Sequence, residues 1–288
     1  MKLLILQTRN KSWPKFEPLF TQAAKDQGVD LALAKLKDIK IVKDQEVKIL
    51  IGEQDLTDFD AIYLRYLGSF LEEAAWVGEY ARQKDLLLYD RVYKQGRDSD
   101  RKSFECLRLT AAGASYPQTF IGDQDYLLSQ ADSLGWPLIL KKTDGRKSEQ
   151  VYKVSSLDSF KKLLKNYVKE DRLIIQKFID NDYYLRFTVV GGEVVGAMKR
   201  NKSMGSGVGV QSINYQPTQD QINLAVLGAK ALNIDIAGVD MMVDKQGQAY
   251  ILEVNRSPQY RVFMDRTGVD VPEKIIEFFV REFKQKSS

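Results

Sequence analysis

The sequence predicts an α/β protein in which strands and helices alternate along the chain. Two features carry that prediction. Apolar runs of strand length recur at Leu3–Leu6, Asp60–Tyr66 and Leu86–Tyr89, with segments of helical period between them. Near the C-terminus, two more apolar strands, Gly238–Val243 and Gln248–Val254, flank the turn Asp244-Lys245-Gln246-Gly247.

Each element has a local reason. Leu3–Leu6 is apolar at every position, as a strand covered on both faces requires. Residues 14–27 suit a helix that stops at Gly28, and 71–84 suit a second. The polar stretch Lys94–Asp100 reads as a boundary. A helix is expected from Ser99 to Ala112, stopping at Gly113. Trp136–Lys141 is a strand with Pro137 at its start, where a missing N–H does least harm. Leu157, Phe160, Leu163, Leu164 and Tyr167 keep helical spacing, and Leu173–Gln176 is a strand. Phe187–Val190 and Glu193–Val195 flank Gly191-Gly192, a two-residue hairpin loop suited to positive φ. Thr218 and Gln221 have capping-box spacing ahead of a helix through Ala225, Ala229 and Leu232. Pro272 opens a last helix, and Trp76 and Trp136 are expected in cores.

Composition narrows the chemistry. The 288 residues allow two or three compact units, since domains run to roughly 100–200 residues. A formal net charge of +4 hints at anionic ligands without requiring nucleic acid. The chain has no histidine, which excludes Cys–His and Ser–His–Asp catalysis and any histidine-ligated metal. Its one cysteine, Cys106, permits no intrachain disulfide and is expected as a buried structural thiol in a reducing compartment. The N-terminal apolar run is short for a signal peptide, and no stretch approaches the ~20 apolar residues of a membrane span. A cytoplasmic protein without membrane partners is expected.

The polar residues inside the last two strands are the most informative. Asp240 lies in Ala237-Gly238-Val239-Asp240, and Glu253 and Asn255 lie in Leu252-Glu253-Val254-Asn255. Residues two apart on a strand share a face, and the short turn makes the strands antiparallel neighbours. Two carboxylates and an amide oxygen on one surface are hard ligands of the kind magnesium accepts. Taken singly, each residue reads as a strand-end or solvent-facing group; the set favours a metal. Lys141 and Arg200 end strands and Lys102 stands near a helix start, so cations surround the expected metal position as a polyphosphate would require.

From about Asp100 to Glu282, the chain resembles the ATP-grasp fold of glutathione synthetases and of RimK-type ligases, which add glutamate to a ribosomal protein. The matching stretches are Pro137–Lys141, Ile175–Ile179, Arg186–Gly192 through Arg200, Ala237–Asp240 and Leu252–Pro258, in that order. The resemblance implies an α+β grasp. An N-terminal α/β pre-ATP-grasp domain would span residues 1–97. A small lid subdomain with its linker helix would span 98–180, and a C-terminal metal and ATP subdomain 181–288. It implies that Lys102, Lys141 and Arg186 contact ATP, and that the hinge Gln176, Lys177, Phe178 and Ile179 meets the adenine edge. Arg200 would be the catalytic cation on the terminal phosphate. Asp240, Glu253 and Asn255 would hold one or two magnesium or manganese ions.

The implied reaction is an ATP- and magnesium-dependent joining of a carboxylate to an amine through an acyl phosphate, which gives the carboxylate a leaving group it lacks at neutral pH. The partners would be a small-molecule acid and amine (an amino acid or peptide) or a protein acceptor, with a homo-oligomer left open. Four places depart from the family pattern. The loop Thr143–Gln150 has one glycine where the family is glycine-rich, with Arg146 and Lys147 as substitutes for backbone amides. Lys177 replaces an acidic hinge residue, and Tyr184 replaces an aspartate expected at the ribose. The segment Asn201–Gly209 lacks the family's asparagine-centred pattern and reads as a substrate loop. Arg256 and Gln259 replace small residues where the acceptor should lie, so a different acceptor is expected. The alternative function is a weakly catalytic ATP-binding regulatory or scaffold protein, for which the glycine-poor loop speaks. A nucleic-acid binder ranks last, for want of an aromatic-basic motif. Arg65, at the end of an N-terminal strand, is read either as a cleft residue for a substrate carboxylate or as structural.

Overall fold

The computed structural model describes residues 1–8, 13–96, 102–143, 151–168, 170–201 and 211–287. The chain opens with β1 (Lys2–Gln7), α1 (Trp13–Asp26), β2 (Asp30–Lys35), β3 (Ile39–Lys43), β4 (Val47–Ile51), β5 (Gln54–Asp55), β6 (Ala61–Arg65), α2 (Leu71–Gln83) and β7 (Leu87–Tyr89). A parallel sheet forms in the order β2-β1-β6-β7, with α1 and α2 as crossovers. β1 is apolar throughout because both its faces are covered. Leu4 and Leu6 enter one hydrophobic cluster, and Leu3 and Ile5 enter the other.

Strands β3, β4 and β5 form a separate antiparallel sheet that the sequence reading left blank. Lys40, Lys43 and Lys48 stand on this largely exposed sheet, where even Ile41, Val42 and Val47 face solvent, so only residues such as Ile49 carry a core signal. Trp76 corrects another expectation: it is 36% exposed. The buried stripe of α2 runs through Ala74, Val77, Gly78, Tyr80 and Ala81, and Trp76 falls on its flank. Trp136 does pack partly against a core, edge-on to Phe160.

The middle of the chain contributes α3 (Lys102–Ala111), β8 (Thr119–Gly122), α4 (Gln124–Leu134), β9 (Leu138–Lys142), β10 (Val151–Val154), α5 (Leu157–Leu164) and β11 (Leu173–Lys177). Its antiparallel sheet, β10-β9-β11-β8, packs with α4 and α5 around a hydrophobic cluster of its own.

The last part holds β12 (Tyr183–Val190), β13 (Glu193–Asn201), β14 (Ser212–Asn214), α6 (Gln219–Ala231), β15 (Ile236–Val243), β16 (Ala249–Arg256), α7 (Arg261–Thr267) and α8 (Val271–Ser287). Its sheet runs β14-β13-β12-β15-β16, all antiparallel. The expected capping box opens α6: Thr218 accepts from the Gln221 N–H, and Gln221 accepts from the Thr218 N–H at 3.1 Å. One face of the sheet, with Leu185, Phe187, Val189, Ala197, Val239 and Met241, shares a hydrophobic cluster with Ala225 and Ala229 of α6. That cluster continues into Leu4, Leu6 and Leu64 of the first sheet. A second one joins β1 to Ile275, Ile276 and Phe279 of α8. The first and last parts of the chain are thus packed as one mass that also takes in Leu109 of α3, and the stretch from β8 to β11 carries its own core.

The hairpin β12–β13 turns through Gly191 and Gly192 at φ 57° and 82°. A Cβ on Gly191 would run into the ring of Phe278, which is buried on α8. Gly191→Ala therefore adds left-handed strain to a core collision. We expect urea unfolding to show a loss of about 3 kcal/mol. An unchanged midpoint would contradict the packing of α8 on this hairpin.

Candidate active site

The other face of the five-stranded sheet packs Val190, Met198 and Ile236 into the second hydrophobic cluster and carries polar residues beyond them, and strand pairing dictates which residues share it. Paired residues on antiparallel strands point the same way, and successive residues alternate. Arg186 pairs with Met198 on one side and Asp240 on the other. Tyr184 pairs with Arg200, Asp240 with Glu253, and Gly238 with Asn255. These side chains fall on one face. A bulge follows Asp240, because Met241 pairs with Ile251 rather than Leu252. It lets Glu253 face the site while Met241 and Ile251 both return to the core.

The geometry around Asp240 is tight. Arg186 grips it with both forks: its Nε donates to Oδ1, and its second nitrogen donates to Oδ2 at 2.6 Å. Asn255 Nδ2 lies 3.2 Å from Oδ2. Burial pushes the Asp240 carboxyl above its ordinary range, and the Arg186 charge opposes that shift. Among the described residues, no three His, Cys, Asp or Glu side chains gather to hold a metal. The convergent set is two carboxylates and one amide, Asp240, Glu253 and Asn255. Their carboxylate and amide oxygens are of the kind a hard cation such as magnesium accepts, although Arg186 holds both Asp240 oxygens here.

On the Glu253 flank lie the lysines. Lys141 is 8% exposed, and its Nζ donates to Gln176 Oε1 at 3.1 Å. Gln176 in turn donates to Thr119 Oγ1 at 2.9 Å. Burial lowers the Lys141 pKa, and the charges of Glu105 and Glu253 oppose that. The sequence reading missed Glu105. This residue is buried on α3 beside Lys141, and burial and Glu253 push its carboxyl up to about 8. The available signal was a charged residue four positions before buried Leu109 on an amphipathic helix. Lys102 begins α3, and its charge acts on both Glu105 and Lys141.

The expected hinge is only partly placed by these contacts. The Gln176 side chain is turned into the Lys141 network, and the Lys177 N–H donates to Gln118 O at 2.9 Å. Phe178 lies under Lys153, 4.1 Å from the ring centroid, and Ile179 is buried. The loop residues 144–150, with Arg146 and Lys147, and the segment 202–210 lie outside the described residues.

The Asn255 flank opens into a cavity of about 650 Å³. Lys15, Arg186, Arg200, Arg256 and Arg261 contribute to its lining, and among the described lining residues there is no carboxylate. The Arg200 guanidinium carbon stands 5.3 Å from the Tyr184 ring centroid. Its buried Nε has no hydrogen-bond partner among the described residues. A buried cationic N–H left in this state calls for an anion. The main chain of Arg256 borders the same region, but strand alternation sends its side chain to the opposite face, where its guanidinium carbon lies 4.8 Å from the Tyr93 centroid.

Arg65 is fully buried and so cannot meet a substrate directly. It donates to Tyr66 Oη at 2.8 Å and reaches the Pro258 carbonyl at 3.4 Å. Tyr66 and Pro258 both border the cavity, so Arg65 braces its wall. Cys106 is half-buried with its thiol pKa pushed up by burial, as suits an inert structural cysteine.

The chain is similar to known proteins in sequence and in fold. Residues 104–279 match the RimK-like ATP-grasp domain family. A coenzyme gamma-F420-2:alpha-L-glutamate ligase of Methanococcus maripaludis is 32% identical over 185 residues, covering 60% of this chain and 64% of that protein. A probable alpha-L-glutamate ligase of Histophilus somni is 27% identical over 243 residues, covering 80% of this chain and 79% of its own. In fold, the chain matches the ATP-grasp ligase PsnB, solved with a minimal precursor, Mg and ADP, at a TM-score of 0.75. The identity there is 14%, and the match covers 98% of this chain and 97% of that one.

Arg186→Met should leave the buried Asp240 carboxylate without its cation. We expect a stability loss of about 3 kcal/mol in urea denaturation. A variant as stable as the parent would show that the pair contributes nothing to the fold.

Proposed function

This chain belongs to the RimK-like ATP-grasp family, and from that premise we propose that it is an ATP- and magnesium-dependent carboxylate–amine ligase. The convergence of Asp240, Glu253 and Asn255 on one sheet face, with buried Lys141 on one flank and Arg200, whose buried Nε has no partner among the described residues, on the other, carries the reading. Asp240, Glu253 and Asn255 would hold the metal, with Arg186 orienting Asp240. When bound, magnesium would neutralise phosphate charge and orient the triphosphate. Lys102 and Lys141 would bind phosphate oxygens, and the segment from Gln176 to Ile179 would border the adenine. Residues 1–97, 98–180 and 181–288 would act as pre-grasp, lid and metal-binding units, the lid closing to exclude water.

The reaction follows from this placement. A carboxylate oxygen of the acid attacks the γ-phosphorus of ATP, and the bond to the β-bridging oxygen breaks, releasing ADP. Arg200 neutralises charge on the transferred phosphoryl group. The amine nitrogen then attacks the acyl carbon, phosphate leaves with the bonding electrons, and the nitrogen gives up a proton. The same arginine stabilises the oxyanion of the tetrahedral intermediate. The cationic cavity beside Asn255 is suited to the acid, and its charge favours an acid with more than one anionic group. Relatives named as glutamate ligases support an acidic amino acid or a peptide as substrate. Among the described residues, no helix is long and apolar enough to cross a membrane.

The test is a screen of amino acids and short acidic peptides with ATP and Mg²⁺, following ADP and phosphate release. Turnover should depend on both acid and amine. Glu253→Gln should abolish ADP formation while the circular dichroism spectrum stays that of the parent. Undiminished turnover in that variant would remove the metal assignment.

A further inference from the structure

Glu105 is a buried carboxyl group with no part in the reaction just described. It lies on α3, four residues before Leu109, and is 7% exposed. Helical spacing therefore directs it to the inner side of α3, where an apolar side chain would ordinarily pack. A carboxylate kept in such a place needs a partner that could not be served otherwise.

The partner is the backbone of β16. That strand is the outer strand of the five-stranded sheet, so its N–H groups facing away from β15 have no ladder to join. The bulge beyond Asp240 changes the alternation, so that both Ile251 and Val254 turn an N–H outward. Ile251 donates to the Ser115 carbonyl at 2.9 Å. Val254 donates to Glu105 Oε1 at 2.6 Å. Val254 stands between Glu253 and Asn255, and both outward bonds end on the segment from α3 to the residues just before β8. The edge of the sheet is thus tied down from outside at the point where two of the three convergent oxygen donors are carried.

We propose that Glu105 is a positioning residue: by accepting the Val254 N–H it fixes the main chain between Glu253 and Asn255, so that the metal-nucleotide site is formed before its ligand enters. This rests on the reading of Glu253 and Asn255 as metal-holding residues. The side chain touches neither substrate nor metal in this role. Its effect passes through the strand. The essential property is a hydrogen-bond acceptor with the reach of glutamate, and the negative charge is secondary. Aspartate keeps the charge but falls short of Val254 by one methylene. Glutamine keeps the reach and an acceptor but gives up the charge.

The experiment measures ATP binding by calorimetry on the full chain across a magnesium titration, with Glu105→Asp, Glu105→Gln and Glu253→Gln. Glu105→Asp should raise the Mg²⁺ concentration for half-maximal ATP binding by about tenfold. Glu105→Gln should stay within roughly threefold of the parent. A residue that only supports the fold would shift the urea midpoint and leave the magnesium requirement of the folded protein unchanged. That result would overturn the proposal. So would Glu105→Asp matching the parent, or Glu105→Gln being the more impaired of the two. Glu253→Gln separates the levels. If it leaves magnesium dependence intact, the metal reading fails and the proposal falls with it. If it destroys that dependence while Glu105→Asp does nothing, only the role of Glu105 is lost.

Discussion

Everything at this site depends on the parity of one five-stranded sheet. Antiparallel pairing sets Tyr184, Arg186, Arg200, Asp240, Glu253 and Asn255 on one face while Leu185, Phe187, Val239 and Met241 bury the other. A strict alternation would not do this through β16, because Ile251 and Glu253 are two apart and would share a face. The bulge breaks the alternation at one place, and so allows a carboxylate and a core isoleucine on the same strand. The chemistry and the hydrophobic core are therefore two products of one register.

The charges on that face are arranged in a sequence across the sheet. Arg186 is committed to Asp240, which makes burial of that carboxylate tolerable. Lys141 is committed to Gln176 and balanced by Glu105 and Glu253. Arg200 keeps a buried Nε without a partner among the described residues. An anionic substrate entering the cavity would meet Lys15, Arg200 and Arg261, with no carboxylate among the described lining residues. A polyphosphate would approach from the flank where lysines and carboxylates already balance. On the proposed function, this asymmetry would put acid and nucleotide on opposite sides of Asp240. The first part of the chain lines the cavity with Lys15, Phe16 and Tyr66, and Arg65 braces Tyr66 and the Pro258 turn from behind.

Some of this was legible in the sequence because it depends on local rules. Polar residues inside apolar strands, two apart and joined by a short turn, announce a shared face, and Asp240, Glu253 and Asn255 do converge. The Gly191-Gly192 hairpin and the Thr218 capping box form as their residues require. What escaped depends on contacts far apart in the chain. Glu105 looks like any helical glutamate until β16 is placed beside α3. Arg65 and Arg256 both look like site cations from their positions after strands, yet one is enclosed by aromatic rings and the other turns to Tyr93. The exposed sheet β3–β5 was missed because its lysine-rich strands bury too little to show a core pattern.

The most direct test is a crystal structure of the chain with Mg²⁺ and a non-hydrolysable ATP analogue. It should place the metal about 2.0–2.1 Å from oxygens of Asp240, Glu253 and Asn255. The phosphates should lie toward Lys141, with the cavity beside Arg200 left for the acid. A triphosphate bound elsewhere, or a metal that leaves Asp240 and Glu253 uncoordinated, would contradict the account.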